Sequence, residues 1–426
     1  MIVYNLFPPL AGTLRQWESH IERAAGMGFE WIFVNPIQKP GGSGSLYSVG
    51  DYFQINPRIL DSDAALSPEQ QVKASTQAAN HRGLRMMVDL VINHCAVDSE
   101  LTRHHPEWFI HGPDGRIAHP FCIDNGRTVV WRDLARFNYE HTSDPDGLYR
   151  LVYRIVEYLV QLGFEGFRCD AAYQIPRHFW QRLIGEVKRR YPNTVFVAET
   201  LGCKAEQTKE TAQAGFDYVF NSSKWWNLSS PWLLAQYQLT RGVVPSISFP
   251  ESHDTERLFQ EMNGNVAGVK QRFLLASFFS AGSMIPCGFE FGFRKRMHVV
   301  KTRPGDWEAP NIDLRSFIGR VNAVKKRYQI FGEECPTTVL PHENPNILLL
   351  RKASSKTSEE ALIILNKDAG NYQHFYVDNL HVAVQARAPF RDVSPEHPMD
   401  YIPTKPFSYH LRPGQGIVFV TERDRA

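Results

Sequence analysis

The alternation of strand-like and helix-like segments is the feature that most constrains the fold of this chain. Short apolar runs, such as residues 164–170 and 195–200, are each followed by a stretch with helical spacing, here residues 178–190 and 206–214. Eight strand–helix units can be counted before residue 331. Parallel strands need crossover helices between them, and eight such units can close on themselves. The pattern therefore predicts an α/β protein built on a (β/α)8 TIM barrel.

The alternation is interrupted once and then ends. A loop-rich excursion follows the third predicted strand, and after residue 331 short strands are separated by turns with no helix between them. We predict a small insertion after strand 3 and a C-terminal antiparallel β-sandwich. The predicted organisation is a barrel over residues 1–94 and 142–331, an insertion over 95–141 and a C-terminal β domain over 332–426.

An open, doubly wound sheet also alternates strands and helices, and it is the alternative to a barrel. Two features of the sequence disfavour it. No GxGxxG pattern follows the first predicted strand, and charged residues crowd the C-terminal ends of many strands. In a barrel those ends meet at one mouth, which is where the chemistry takes place.

Composition and charge exclude several classes of function. A formal net charge of +2 gives no basis for binding nucleic acid or a membrane surface, and no apolar run is long enough to span a bilayer. The six cysteines are scattered without a CxxC spacing, as buried free thiols are. The first residues read as a strand rather than as a signal peptide, so we expect a cytoplasmic protein.

Charged side chains stand at the predicted ends of several strands, and the stretch around Asp170 is the most informative. Arg168 and Asp170 are two residues apart, so a strand places both on one face. The arginine would keep the carboxylate ionised, as a nucleophile requires. This stretch alone fits a purely structural ion pair equally well. The other strand ends contribute Asp89, Asn93, His94, Glu199, His253 and Asp254.

Three of these carboxylates, Asp170, Glu199 and Asp254, suit the cleavage of a glycosidic bond. One carboxylate attacks the anomeric carbon, a second gives its proton to the leaving oxygen, and a third binds hydroxyls of the sugar. A retaining reaction needs the first two about 5–5.5 Å apart. Any one of the three alone also fits a helix cap or a loop residue, and it is their shared position at strand ends that favours a joint site.

Five short runs resemble, in order, the signature regions of the α-amylase family of retaining glycosidases and transglycosylases, glycoside hydrolase family 13. They are residues 47–52 (YSVGDY), 89–94 (DLVINH), 166–171 (GFRCDA), 197–199 (VAE) and 253–254 (HD). The resemblance runs through the barrel and extends to the C-terminal β domain. It implies that residues 95–141 correspond to the family's domain B, which walls one side of the active-site cleft.

The resemblance also implies a role for each matching residue. Asp170 would be the nucleophile, Glu199 the general acid/base and Asp254 the stabiliser of the transition state. Arg168 would orient the nucleophile, and Asp89 would be more architectural than catalytic. The implied substrate-binding residues are Tyr47, Asp51, Asp89, His94, Arg168 and His253, with Tyr47 stacking beneath the sugar.

The chain departs from the family at several points. Ala172-Tyr173-Gln174 stand where many α-amylases carry Lys-His, and Ser252 replaces the asparagine before His253. The family counterpart of Asn93 often ligates calcium, but the sequence supplies no convincing further ligands. We therefore expect no required cofactor and assign no metal-ligating residue, with calcium left open.

A basic run follows the eighth predicted strand and consists of Arg294, Lys295, Arg296, Lys301 and Arg303. It fits a solvated surface loop, and it also fits the recognition of an anionic donor. Together with Arg-Pro-Gly-Asp-Trp at residues 303–307, this region resembles the maltosyltransferases that use maltose 1-phosphate. Those enzymes usually carry additional domains.

These observations lead to one predicted function and two alternatives. The prediction is a retaining α-amylase-type glycosidase that acts on α-1,4-glucans or maltooligosaccharides through a covalent glycosyl-enzyme. The first alternative is an intracellular α-glucan transglycosylase or a maltosyltransferase that uses maltose 1-phosphate. The second, a barrel that only binds or scaffolds, is disfavoured because all three acids are present. The expected partner is the glucan, with no nucleic acid, no membrane and an open oligomeric state.

Overall fold

In the computed structural model, which describes residues 1–124 and 127–423, eight parallel strands close into a barrel. The first strand pairs with both the second and the eighth, so that Val3 lies beside Trp31 and also beside Met284. This closure confirms the predicted barrel and rules out the open sheet. The strands are β1 (Ile2–Leu6), β2 (Trp31–Val34), β3 (Arg85–Leu90), β4 (Gly166–Cys169), β5 (Val195–Ala198), β6 (Tyr218–Phe220), β7 (Ser246–Ser248) and β8 (Gly282–Pro286).

The helices pack around the barrel and present apolar faces to it. The third helix begins at a capping box, in which the Ser67 hydroxyl accepts a hydrogen bond from the backbone N–H of Gln70. Within the described residues, no helix is both long and apolar enough to cross a membrane. The helices are α1 (Pro8–Ala11), α2 (Trp17–Gly26), α3 (Pro68–His81), α4 (Glu100–His104), α5 (Pro145–Gln161), α6 (Arg177–Arg190), α7 (Ala205–Ala212), α8 (Trp232–Thr240), α9 (Leu258–Glu261), α10 (Val266–Phe279) and α11 (Arg315–Arg327).

Alternation along the strands divides the core into two layers. Inward-pointing side chains, such as Trp31, Phe33 and Met87, fill the barrel, whereas Ile32 and Val88 belong to the larger outer cluster against the helices. Gly166 is required by this packing, because a Cβ atom there would lie 2.9 Å from the Trp31 ring. Two residues further along the same face of β4 comes Arg168, so the inward face changes from apolar to charged as the strand reaches the mouth.

The segment between β3 and α5 forms two antiparallel ribbons in its described part. His94–Ala96 pairs with Leu134–Arg136, and Phe121–Asp124 pairs with Arg127–Val130. The strand β3 ends at Leu90, three residues before its predicted end at residue 93, and His94 belongs to the first ribbon instead. The insertion after strand 3 is therefore present, although its residues 125–126 lie outside the described residues. A further ribbon follows β2, between Gln38–Pro40 and Val49–Ile55.

The C-terminal region is antiparallel β structure, as predicted. A five-stranded sheet has the order Thr337–Leu340 (β9), Ile347–Ala353 (β10), Glu359–Asn366 (β11), Gly416–Glu422 (β15) and Arg391–Asp392 (β13). A two-stranded sheet of Gln373–Val377 (β12) and Phe407–Leu411 (β14) packs over it through a separate core that includes Phe375, Phe407 and Phe419. Residues 424–426 of the predicted domain lie outside the described residues. The strands are β9 (Thr337–Leu340), β10 (Ile347–Ala353), β11 (Glu359–Asn366), β12 (Gln373–Val377), β13 (Arg391–Asp392), β14 (Phe407–Leu411) and β15 (Gly416–Glu422).

Buried lysines join this region to the base of the barrel. Lys325 of α11 donates to the carbonyls of Ser277 and Ser280, at 2.7 Å each, at the C-terminal end of α10. Lys352 of β10 donates to the carbonyl of Phe279, at 2.6 Å, at the same helix end. Both cations therefore satisfy carbonyls that a helix terminus leaves without intrahelical partners.

Candidate active site

A cavity of about 440 Å³ opens at the C-terminal ends of the strands. It is lined by Asp170, Glu199 and Asp254 together with Tyr47 and His94, so the structure brings all three predicted acids to one hollow. Side-chain parity explains the convergence. Arg168 points into the barrel, Asp170 follows it by two residues, and Glu199 follows the inward-facing Val197 by two residues.

Arg168 connects the carboxylates of three strands. Its Nη1 atom donates to Asp170 Oδ1 at 2.7 Å and to Asp89 Oδ1 at 2.9 Å. Its Nη2 atom lies 3.9 Å from Glu199 Oε2. The guanidinium is almost fully buried, and Asp89 stands directly opposite Arg168 in the β3–β4 register. One planar cation therefore fixes the positions of Asp170 and Glu199 relative to each other.

Glu199 is held by backbone groups in a largely buried position. Its Oε2 accepts from the N–H of Ala171 at 2.8 Å and its Oε1 from the N–H of Leu201 at 2.6 Å. Burial raises the pKa of Glu199 to about 7, against the opposing effect of Arg168 and with a further rise from the charge of Asp170. A carboxyl group with this pKa can hold a proton at neutral pH and give it up within a reaction.

Ala171 occupies an uncommon backbone conformation next to these acids. Its φ of 41° and ψ of 46° lie in the left-handed region, where a residue with a Cβ atom is strained. This conformation coincides with the N–H of Ala171 donating to Glu199, while Asp170 contacts Arg168 one residue earlier. The strained turn thus joins the two candidate reacting carboxylates through the backbone.

Asp254 lies at the rim of the cavity, with a side chain that is 64% exposed. Its Oδ2 is 3.0 Å from Nε2 of His253, and the same nitrogen is 2.6 Å from the Tyr47 hydroxyl. Desolvation raises the pKa of Asp254, but the charge and hydrogen bond of His253, with Arg168, outweigh it and lower that pKa to about 2. Asp254 is therefore ionised at neutral pH.

The imidazoles at the mouth each keep a ring nitrogen free. Nε2 of His94 contacts the carbonyl of Tyr47 at 2.9 Å, and the ring of His253 stacks on that of Tyr47 with centroids 5.7 Å apart. Nδ1 of His94, Nδ1 of His253 and Oδ1 of Asn93 are buried and have no hydrogen-bond partner among the residues the structure describes. His94 and Asn93 also line the cavity, so of these three residues they are the two that a polyhydroxylated ligand would meet.

Four predicted substrate-binding residues do not line the cavity: Arg168 and His253, which contact lining residues, and Asp89 and Asp51. Asp89 is fully buried beneath it, where its carboxylate receives Arg168 and the Tyr47 hydroxyl, because it shares the inward parity of Met87. Asp51 lies on the Val49–Ile55 strand and lines a separate hollow of about 640 Å³. Its carboxylate accepts from the backbone N–H of Phe53 at 2.8 Å. The structure thus separates Asp51 from the other candidate residues, and it gives Asp89 a supporting position.

Several cavity residues were not assigned to the site from the sequence. Trp131, which is 39% exposed, comes from the insertion, and Tyr173 follows the candidate nucleophile where many α-amylases carry a Lys-His pair. Val299 and Val300 come from the loop after β8. The position of Tyr173 just after the end of β4 is the sequence feature that could have assigned it to the site. The two valines carried none, since they reach the cavity only through the path of a long loop.

Two members of the basic run after β8 are paired within their own loop. Lys295 forms an ion pair with Asp306, and Arg303 donates to the carbonyls of Val300 and Thr302. Trp307 packs edge-on against Phe293, with ring centroids 4.9 Å apart, and anchors the end of the loop.

Arg296 is the member of the run that touches the candidate site. Its Nη2 donates to the backbone carbonyl of Asp254 at 2.8 Å, and its Nη1 lies 3.1 Å from Glu256. Its charge also contributes to the lowered pKa of Asp254. The surface-loop interpretation therefore describes most of the run, and Arg296 is the exception.

The residues around Asn93 do not fit a calcium site. Its amide nitrogen donates to Gln174 Oε1 at 3.3 Å. Across the ranges 1–124 and 127–423, no group of three or more His, Cys, Asp or Glu side chains is arranged to hold a metal ion. The carboxylate ligands that Ca²⁺ prefers are thus missing from this part of the described structure.

Comparisons of sequence place this chain near enzymes of glucan metabolism. The family described as "Glycogen debranching enzyme, glucanotransferase domain" matches residues 2–110. The α-1,4-glucan:maltose-1-phosphate maltosyltransferase of Burkholderia pseudomallei is 26% identical over 379 residues, which cover 84% of this chain and 32% of that protein. The corresponding enzyme of Mycobacterium tuberculosis is 26% identical over 410 residues, covering 86% of this chain and 56% of its own length. The chain thus spans from about a third to just over half of these curated relatives.

Comparisons of structure give the same fold at lower sequence identity. An α-amylase from Lactobacillus plantarum superposes with a TM-score of 0.79 at 20% identity, covering 98% of both chains. A maltogenic α-amylase from Thermotoga neapolitana superposes with a TM-score of 0.78 at 16% identity, covering 100% of this chain and 99% of the other. The chain thus has the fold of these α-amylases and is similar in sequence to the maltose 1-phosphate maltosyltransferases.

Proposed function

We propose that this chain cleaves α-1,4-glucosidic bonds with retention, using Asp170 as nucleophile, Glu199 as general acid/base and Asp254 as stabiliser of the transition state. The observation that supports this proposal most strongly is the shared guanidinium of Arg168, which contacts Asp170 at 2.7 Å and Glu199 at 3.9 Å on the wall of one cavity. We also propose that the insertion over residues 95–141 acts as domain B, since Trp131 and Leu134 line the same cavity.

The first step would form a covalent glycosyl-enzyme. An Asp170 oxygen attacks the anomeric carbon, the bond from that carbon to the leaving glycosidic oxygen breaks, and the proton of Glu199 moves to that oxygen. Arg168 orients Asp170 for the attack through its hydrogen bond, whereas burial raises the pKa of Glu199 so that it can hold the proton. The ionised Asp254 would bind hydroxyls of the sugar ring and favour its positively charged transition state.

The second step would release the sugar with its original anomeric configuration. Glu199, now ionised, takes a proton from an incoming hydroxyl group, whose oxygen attacks the anomeric carbon and displaces Asp170. Water as the acceptor gives hydrolysis, and a sugar hydroxyl gives transfer. Tyr173 and Trp131 lie on the cavity wall, where an acceptor ring could stack.

The test uses maltoheptaose and follows the anomeric configuration of the first product by NMR. We expect the α-anomer from the native enzyme, and a loss of about 10⁴-fold in turnover for Asp170→Asn, because the nucleophile is removed. Products of the β configuration, or near-native turnover by the variant, would contradict the proposal.

Transfer from a glycosyl phosphate is a second candidate, and Arg296 is the observation that favours it. This cation is held against the loop of Asp254 at the rim of the cavity, and the relatives of known activity are named for a maltose 1-phosphate donor.

The five described free cysteines, Cys95, Cys169, Cys203, Cys287 and Cys335, fit a reducing, cytoplasmic setting for such an enzyme.

Incubation with maltose 1-phosphate and a short glucan distinguishes the two candidates. Release of inorganic phosphate together with chain extension supports transfer, and both should weaken in Arg296→Ala. The matched control is Arg294→Ala. Arg294 lies on the same loop as Arg296, but its side chain contacts Gln260 of α9 at 3.0 Å instead of Asp254. Hydrolysis of maltoheptaose without phosphate release from the phosphate donor counts against the second candidate.

A further inference from the structure

A buried ion pair closes the loop that carries Asp254. The side chain of Glu251 is at the start of this loop and that of Arg257 at its end, and Oε1 of Glu251 accepts from Nη1 of Arg257 at 2.8 Å. The second carboxylate oxygen accepts from the backbone N–H of Leu258. Glu251 is 1% exposed and Arg257 is 0% exposed, so the pair lies entirely within the protein.

Arg257 also reaches two elements outside its own loop. Its Nη2 donates to the carbonyl of Cys287 at 2.8 Å, immediately after β8, and its Nε donates to the carbonyl of Lys295 at 3.3 Å. The guanidinium lies 5.7 Å from the centre of the Phe293 ring. One side chain therefore ties the loop after β7 to the loop after β8.

The two loops also meet at the rim of the cavity. Residues 252–256 form a tight turn in which the Ser252 backbone N–H donates to the Thr255 hydroxyl at 3.0 Å. At its outer edge, Arg296 of the second loop donates to the carbonyl of Asp254 at 2.8 Å. Farther along that second loop, Val299 and Val300 form part of the cavity wall. Contacts from Arg257 and Arg296 thus link the loops at a buried point and at an exposed one.

The chemistry of arginine suits this position better than that of lysine. A planar guanidinium can donate in several fixed directions at once, whereas a lysine ammonium is a compact charge on a flexible stem. A lysine at position 257 could still face Glu251, but it could not reach the carbonyls of Cys287 and Lys295 with the same geometry. Removing either charge alone would leave the other buried without its partner, which is strongly unfavourable.

We propose that Arg257, held by Glu251, is a positioning residue that sets the loop of Asp254 and the loop of residues 293–303 as one unit. Its effect on catalysis rests on the proposed function, because it acts through Asp254 and touches no substrate itself. The linkage of the two loops is independent of that function. This assigns a role in the reaction to a residue that lies outside the cavity.

The first measurement is backbone hydrogen exchange of Arg257→Lys. We expect both loops, residues 252–256 and 293–303, to exchange faster together by about tenfold or more, because their shared anchor is weakened. The paired variant Glu251→Leu/Arg257→Met replaces the ion pair by apolar side chains and keeps the site folded if the lysine variant does not fold. It should show the same joint increase. Faster exchange in one loop alone, or in neither, would overturn the proposal whether or not the enzyme cleaves glucans.

The second measurement is the split between kcat and KM on maltotetraose. In Arg257→Lys we expect kcat to fall by about 10- to 100-fold with KM within about threefold, since a displaced catalytic group costs transition-state stabilisation. In an Asp254→Asn background, the lysine substitution should cause no further loss. An additional loss of the same size in that background would show that Arg257 does not act through Asp254.

The matched control is Arg351→Lys in the C-terminal sheet. Arg351 contacts Glu360 at 2.9 Å in another largely buried arginine–glutamate pair that is remote from the mouth. It should change thermal stability without changing kcat or the exchange of either loop. An inactive native enzyme would count against the proposed function, while the exchange experiment would still decide the linkage.

Discussion

The mouth and the base of the barrel both contain buried ionisable groups, but they differ in how completely the hydrogen bonds of these groups are formed. At the base, Lys325 donates to three carbonyls, those of Ser277, Ser280 and Phe331. Near it, Glu334 accepts from the backbone N–H groups of Ser246 at 3.0 Å and Ala281 at 2.8 Å. Burial still disfavours the charged forms, lowering the pKa of Lys325 to about 7 and raising that of Glu334, but the polar atoms of both side chains have hydrogen-bond partners.

At the mouth the same kind of group is left incompletely satisfied. His94 and His253 each keep a buried ring nitrogen without a partner in the described structure. One cation, Arg168, faces the carboxylates of Asp89, Asp170 and Glu199. The contrast shows that burial of charge is not itself a sign of function. Unfinished hydrogen bonding beside a cavity is the more specific sign.

Replacement of the candidate acid should give the largest effect in this comparison. For Glu199→Gln we expect kcat/KM on maltoheptaose to fall by about 10³-fold, because the leaving oxygen no longer receives a proton. An aryl maltoside with an acidic phenol should be cleaved with a much smaller loss in the first step. The free energy of unfolding, measured with urea, should change little. A large loss of stability with an equal loss on both substrates would contradict the assignment.

At the base the effects should be reversed. For Lys325→Met we expect a loss of about 2–3 kcal/mol in the free energy of unfolding, because three buried carbonyls lose their donor while the cost of burying a cation is also removed. Turnover of maltoheptaose at 25 °C should stay within about twofold of native, since the site lies at the other end of the barrel. Normal stability with reduced turnover would contradict the idea that buried groups at the base support stability and those at the mouth support catalysis.

The pKa of Glu199 predicts the pH dependence of the reaction. Burial raises this pKa to about 7, and the first step needs the protonated form, so kcat/KM should fall about tenfold per pH unit above pH 7. The fall should be weaker for a substrate whose leaving group needs no proton. A profile on maltoheptaose that stays level up to pH 9 would show that Glu199 is not the acid.

The smallest effect is expected at Asp51, which the family motif assigns to substrate binding and the structure places in another hollow. Asp51→Asn should change kcat/KM on maltoheptaose by less than about twofold, because its carboxylate only supports the N–H of Phe53. The variant is also a matched control for Asp170→Asn, since the chemical change is the same. A loss of 100-fold or more would show that Asp51 takes part in substrate binding or catalysis.

The strand ends were predictable from sequence because the period of two along a strand and the closed barrel together fix where side chains point. This is why Asp170, Glu199 and Asp254 could be expected at one mouth. The fate of Asp51 could not be predicted, since it depends on how the Gln38–Pro40 and Val49–Ile55 ribbon folds away from the barrel. The role of Lys325 was equally hidden, because its acceptors are up to 48 residues away along the chain.

The arrangement around Arg168 has a consequence for inhibitors. Three acidic side chains, Asp89, Asp170 and Asp254, gather around a single buried guanidinium, while burial favours the neutral form of Glu199 beside them. Such an excess of negative potential attracts a ring that carries a protonated nitrogen more than its uncharged counterpart. A basic imino sugar of glucose configuration would thus exploit the same imbalance that draws positive character onto the ring of the substrate.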